Sequence, residues 1–125
     1  IWADHYFKTI SNSKMGLNLS RGEPIKYYSS DRITQIIGNG LVTLIDDRTF
    51  YRDFFDNDEM VFYKNINDLS EKIKRISLDE KMRKNIGRKG KAKYLKYFNS
   101  TLVAEFILKK TLDLPLKKKY LWNKK

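Results

Sequence analysis

The stretch from Ile33 to Ile45, "ITQIIGNGLVTLI", sets the tightest limit on how this chain folds. Ile33, Ile36 and Ile37 fall on one side of a helix. Gly38-Asn39-Gly40 stops that helix, with Gly38 or Gly40 at its C-cap. Leu41–Ile45 follows as a continuous apolar run. A strand whose apolar residues fall on both alternating sides is covered on both faces, as in a parallel sheet lying between helices.

The same alternation runs along the chain. Residues 3–12 read as a helix with Tyr6, Phe7 and Ile10 at helical spacing. Met15–Ser20 reads as a strand, and a loop containing Gly22 and Pro24 leads to a helix over 31–38. "DDRTFYRDFF" reads as a loop and a helical turn, and Glu59–Lys64 as a third strand. A helix from Asn65 carries Ile66, Leu69, Ile73 and Ile76 on one stripe. "SLDE" fits a capping box, in which Ser77 caps the next helix and Glu80 reaches back. That helix presents Met82, Ile86, Tyr94 and Phe98 inward. The last helix starts at Asn99 or Ser100 and is ended by Pro115. The expected fold is α/β: a partial Rossmann-like domain over residues 1–113, with a short parallel sheet flanked by helices, and a basic tail over 114–125. Three strands are few for a complete doubly wound domain, and the chain lacks an initiator Met. Both features predict a portion of a longer protein.

Charge is divided sharply. Residues 1–80 hold 11 Lys/Arg against 13 Asp/Glu, and residues 81–125 hold 15 against 2. A basic block of this kind suits nucleic acid, phosphate groups or a lipid surface, and equally a solvated face. The tail "LKKKYLWNKK" mixes Lys with aromatics, which suits anionic lipid heads or a disordered, solvated end. The absence of cysteine excludes disulfides and zinc–thiolate sites. No apolar run is long enough to span a bilayer, and no secretion-signal layout opens the sequence. The expected location is cytoplasmic, with peripheral contact at the inner face of a membrane through the basic third. His5 is the single histidine and reads as a surface or packing residue. Asp53, Asp56, Asp58 and Glu59 lack the glycine and spacing of a calcium loop and read as a solvated acidic turn.

In an open α/β sheet, ligands lie beyond the carboxyl ends of the strands. Here the first strand runs into "SRGEPIKYYSSDR". Ser29, Ser30 and the helix start offer hydrogen-bond donors, while Arg21 and Arg32 bracket the loop with guanidinium groups that match phosphate. Plain N-capping by Ser30, with Asp31 complementing the helix dipole, is the competing reading. Tyr27-Tyr28 and Phe50-Tyr51 lie at the same edge, placed either for stacking on a base or for core packing.

At these residues the chain resembles a known family. "MGLNLSRG", "SSDRITQIIGNGLVTLIDD", "FYRDFFDNDEMVFYKNINDLSEKIKRI" and "MRKNIGRKGKAKYLKYFNSTLVAEFIL" follow one another as in the C-terminal domain of group-1-type glycosyltransferases, in the CgeB-like branch. The resemblance covers about residues 5–110. It implies a GT-B enzyme whose two Rossmann-like domains face each other across a cleft. The C-terminal domain would bind a nucleotide-sugar donor, without metal or other cofactor. The acceptor, a glycan, a lipid-linked molecule or a protein, would need the N-terminal GT-B domain. Carried onto this sequence, the resemblance assigns donor binding to Arg21, Gly22, Arg32 and Gly40. Gln35 stands where the family has a glutamate on the ribose, and "SRGEP" resembles a motif in which Glu23 approaches the sugar. An amide at position 35 keeps a hydrogen bond but loses its charge. The implied function is donor binding for glycosyl transfer, with the fragment alone inactive. The alternatives are a basic α/β module for nucleic acid and a non-catalytic glycosyltransferase homologue.

Overall fold

The computed structural model describes residues 4–123. Its elements are α1 (Asp4–Asn12), β1 (Met15–Asn18), α2 (Arg32–Gly38), β2 (Val42–Asp46), β3 (Val61–Tyr63), α3 (Ile66–Leu78), α4 (Glu80–Tyr97) and α5 (Ser100–Thr111). Two short 3-10 turns, Asp47–Thr49 and Tyr51–Asp53, fill the "DDRTFYRDFF" segment. Ala3, which the sequence assigns to the first helix, lies outside the described residues.

The sheet has the order β1-β2-β3, and both pairings are parallel. Leu17 pairs with Leu44, and Leu44 with Val61. Every residue of β2 and β3 is buried, as the apolar runs require. Strand alternation then sorts the side chains into two cores. Ile45 and Phe62 face Ile33 and Ile37 of α2, together with Phe54, Phe55 and Met60. Val42, Leu44, Val61 and Tyr63 face Leu69 and Ile76 of α3 and Ile86 of α4. The result is a partial Rossmann-like α/β fold with helices on both faces. Among the described residues, no helix is long and apolar enough to cross a membrane.

Helix α4 touches both cores because it passes beneath the amino edge of the sheet. A Cβ built on Gly87 would lie 2.0 Å from the Gly40 carbonyl oxygen, just before β2. One on Gly90 would lie 2.3 Å from the Glu59 carbonyl oxygen, just before β3. Only glycine permits so close an approach of helix to backbone. Gly40 itself, at φ +76°, closes α2 in a Schellman motif: its N–H donates to Ile37 O at 3.0 Å and that of Leu41 to Ile36 O at 3.2 Å.

Several sequence expectations are corrected. Ser77 does not cap α4, because it lies inside α3. Asp79 has the extended backbone a cap needs (φ −108°, ψ 91°), and its carboxylate accepts from the Met82 N–H at 2.8 Å. The stripe of α3 begins at Leu69, since Ile66 in the first turn is 74% exposed. Helix α5 stops before Pro115: Asp113 turns left-handed (φ 52°), and Leu114 N–H donates to Lys109 O at 2.8 Å. The tail is solvated only in part: Lys117, Lys118 and Lys119 are exposed, but the aromatic segment after them is docked. Tyr120 is buried, and Trp122 packs 5.6 Å from Phe98 and 5.8 Å from Phe106, centroid to centroid. Glu105 of α5 holds it down through Lys118 at 2.5 Å.

Candidate functional site at the carboxyl edge

The loops that leave β1 and β2 meet at the carboxyl edge of the sheet and are bound to each other. Tyr27 N–H donates to Thr49 O at 2.9 Å. Tyr51 OH donates to Ser29 Oγ at 3.1 Å, and Tyr27 OH donates to Asp53. Arg48 bridges Asp46 and Glu23, each at 3.0 Å. Tyr27 and Phe50 adopt left-handed backbone (φ 60° and 58°), which costs a side-chain-bearing residue about 1–2 kcal/mol. The cross-loop bonds hold Tyr27 there, and Lys26 Nζ sits 4.9 Å from its ring centroid and 5.1 Å from that of Phe50.

Four arginines serve these loops, in two ways. Arg48 and Arg52 are engaged by carboxylates: Arg48 by Asp46 and Glu23, Arg52 by Asp47. Burial pushes the Asp46 carboxyl up, but hydrogen bonds from the Arg48 side chain and amide more than offset this, and it ends below the ordinary range. Arg21 and Arg32 have no carboxylate partner among the described residues. Both line one hollow of about 300 Å³, with Leu19, Tyr28, Ser29, Ser30 and Asp31. Two exposed guanidinium groups around one concavity offer the charge and the paired N–H donors that an anion's oxygens accept from.

A second cavity of about 430 Å³ adjoins the first and shares Ser29, Ser30 and Asp31 with it. Its walls are largely aromatic, including Tyr27, Tyr51, Phe54, Tyr94, Phe98 and Trp122. Tyr94 and Phe98 stack at 5.8 Å with their planes 13° apart. Burial raises the Tyr51 phenol, an effect partly countered by its bond to Ser29. An amphipathic ligand with a flat ring and an anionic group matches the two cavities in chemistry.

The sequence-expected residues divide accordingly. Arg21, Ser29, Ser30 and Arg32 come together, and Gly22 (φ +76°) makes the turn after Arg21. Glu23 points into solvent and pairs with Arg48 outside the hollow. Gln35 lines neither cavity, and its Oε1 accepts from Tyr6 OH of α1. Gly40 sits at the opposite end of α2, where it stops the helix. The serine hydroxyls are also less available than the sequence suggests. Ser30 Oγ donates to the buried Asn18 Oδ1 at 3.1 Å, and Ser29 Oγ to Ser30 O at 3.3 Å. Asp31 occupies the cap position without a side-chain cap bond, so the capping by Ser30 read from the sequence is not realised. With only seven residues in α2, the arginines outweigh the helix dipole as the source of positive potential.

Sequence reading missed Tyr94, Phe98 and Trp122 as cavity walls; "KYLKYF" and "YLW" were the available signal. The acidic turn is ion-paired rather than simply solvated. Lys89 meets Asp58 at 2.5 Å, and Lys93 meets Glu59 at 2.5 Å and Asp56 at 3.3 Å. Those carboxylates, which lie close enough together to share an ion, are therefore already neutralised by lysines. His5 is exposed on α1.

A family model described as glycosyl transferase-like matches residues 1–109. No curated protein and no solved structure matches the chain.

Proposed function

The chain belongs to the glycosyl transferase-like family, and from that premise we propose that it forms the donor-binding part of a GT-B enzyme of the CgeB-like branch. In this reading it holds a nucleotide-sugar by its diphosphate while the sugar passes to a glycan, lipid-linked or protein acceptor. The observation that carries the reading is the division among the arginines. Two of the four at the carboxyl edge are neutralised, and the two without a carboxylate partner among the described residues line a single hollow.

Arg21 and Arg32 neutralise the diphosphate, whose charge grows as the bond to the sugar breaks. Each guanidinium presents paired N–H donors to two phosphate oxygens. A positive environment that is already in place at the leaving group needs no reorganisation in the transition state. Ser29 and Ser30 contribute only if their hydroxyls rotate away from Ser30 O and Asn18. Asp31, on the shared rim, opposes a second negative charge and keeps the anion on the arginine side. The adjoining aromatic cavity receives the flat ring of the nucleoside. Glu23, Gln35 and Gly40 have no part in this assignment.

The test is a titration of the isotopically labelled protein with UDP or GDP. Amide resonances of residues 20–35 should shift, together with those of Tyr51 and Phe98. Replacing Arg32 by Gln should weaken binding about tenfold or more, the worth of one charge-assisted contact. Unperturbed resonances in residues 20–35 at saturating nucleotide would defeat the assignment.

A further inference from the structure

We propose that the outward face of α4 is the surface on which this protein rests against an anionic lipid bilayer. The proposal is independent of the donor-site reading.

The cations of α4 differ by face. Lys89 and Lys93 turn toward the acidic turn and are paired there. Arg83 turns toward α3, where its Nη1 donates to Ile76 O and Ser77 O at 3.2 Å. Lys96 lies off this face, with its Nζ 5.1 Å from the centroid of the Tyr97 ring. Lys81, Lys84, Arg88 and Lys91 remain, at spacings of three, four and three, with Leu95 one turn further on. Those spacings place all five on one helical face, and all five are exposed. Lys84 meets Glu80 at 2.6 Å in a solvent-exposed pair. Lys81, Arg88 and Lys91 have no carboxylate partner among the described residues. The stripe runs for about 20 Å along the helix.

Two features favour lipid over nucleic acid. Exposed aliphatic side chains flank the cations: Leu78 just before α4, 89% exposed, and Leu95 in its last turn, 51% exposed. An acyl–headgroup boundary takes up such side chains, whereas a phosphate backbone does not. The stripe also lacks an aromatic ring on which a base could stack. The tail aromatics that the sequence offered as lipid anchors are packed against Phe98 and Phe106. Because α4 crosses the amino edge of the sheet, docking through its outward face leaves the hollow of Arg21 and Arg32 uncovered.

The experiment is vesicle flotation with phosphatidylcholine alone and with an equal mixture of phosphatidylcholine and phosphatidylglycerol. Binding should require the anionic lipid and fall with added salt. The triple variant Lys81→Gln, Arg88→Gln, Lys91→Gln should lose about a hundredfold in partitioning. A control triple, Lys110→Gln, Lys117→Gln, Lys119→Gln, removes the same charge from other exposed positions and should retain most of the binding. Circular dichroism should be unchanged in both, since all six side chains are exposed. Leu95→Ser should weaken binding without altering its salt dependence. The proposal is overturned if the two triples lose binding equally, if anionic vesicles do not bind, or if duplex DNA binds more tightly than the vesicles and through the same three side chains.

Discussion

The two edges of the sheet are built in opposite ways. At the amino edge, α4 lies against backbone, with Gly87 on Gly40 and Gly90 on Glu59 and no space for a methyl group. At the carboxyl edge, side chains from two loops bridge each other, two non-glycine residues adopt left-handed backbone, and two arginines have no acid partner among the described residues. The first edge is closed by packing, where an added atom has nowhere to go. The second is held by polar contacts around open space. Close packing transmits every added atom as strain, whereas a solvated polar rim tolerates substitution and changes what it binds.

The largest expected effect tests the closed edge. Gly87→Ala should destabilise the fold by about 3 kcal/mol, because the new methyl meets a carbonyl oxygen rather than a movable side chain. The melting temperature should drop by about 10 °C. A wild-type melting curve for this variant would refute the close helix–backbone contact.

Next is the aromatic wall. Trp122→Ala should cost about 2 kcal/mol, read from denaturant midpoints, because three aromatic rings lose a neighbour. The same variant should weaken nucleotide binding if the cavity receives the ring. An unchanged midpoint would mean that the tail does not dock.

The open edge should behave in the reverse manner. Arg21→Gln with Arg32→Gln should leave the melting temperature within about 2 °C, since both side chains are exposed and neither guanidinium has a carboxylate partner among the described residues. The double variant should nevertheless lose most affinity for UDP or GDP in calorimetry. A large fall in stability with unchanged affinity would reverse the contrast between the edges.

The smallest effect is electrostatic. Hydrogen bonds from Lys109 and Lys118 hold the Glu105 carboxyl down to about 2, from an ordinary value of 4.5. A carboxylate with a depressed folded-state value stabilises above its unfolded value, and that contribution fades as pH falls from about 4.5 toward 2. In a Trp2→Phe background, Trp122 fluorescence should therefore report loosening of the tail at higher pH in Glu105→Gln than in the parent. Identical acid profiles would show that this contact does not hold the tail.

Much of the fold could be read locally. The apolar run at Leu41–Ile45 and the isoleucines of α2 announced a covered parallel strand and its helix. Of the two residues read for the start of the last helix, Asn99 caps it, and Asn65, where a helix was read to begin, caps α3; each accepts an amide three residues on. The misreadings share a cause. Ser77 and Asp79 both offer a capping oxygen, and the choice fell to whichever residue left the helical backbone, which depends on how α3 and α4 cross. The site was legible in part. Arg21 and Arg32 stood out as basic residues near a strand end; Arg48 holds a like place after β2, and what separates it from them is its pairing with Glu23 and Asp46. Tyr94, Phe98 and Trp122 are distant in sequence from Ser29, and no local pattern links them.

The sequence alone determined the order of helices and strands, the parallel character of the sheet and the concentration of positive charge in the last third, because periodicity and composition act between near neighbours. Only the tertiary structure decided which arginines go unpaired, which rings share a cavity, and which face of α4 keeps its charge. Each of those outcomes depends on contacts between residues far apart in the chain, and the folded geometry selects among partners that the sequence offers equally.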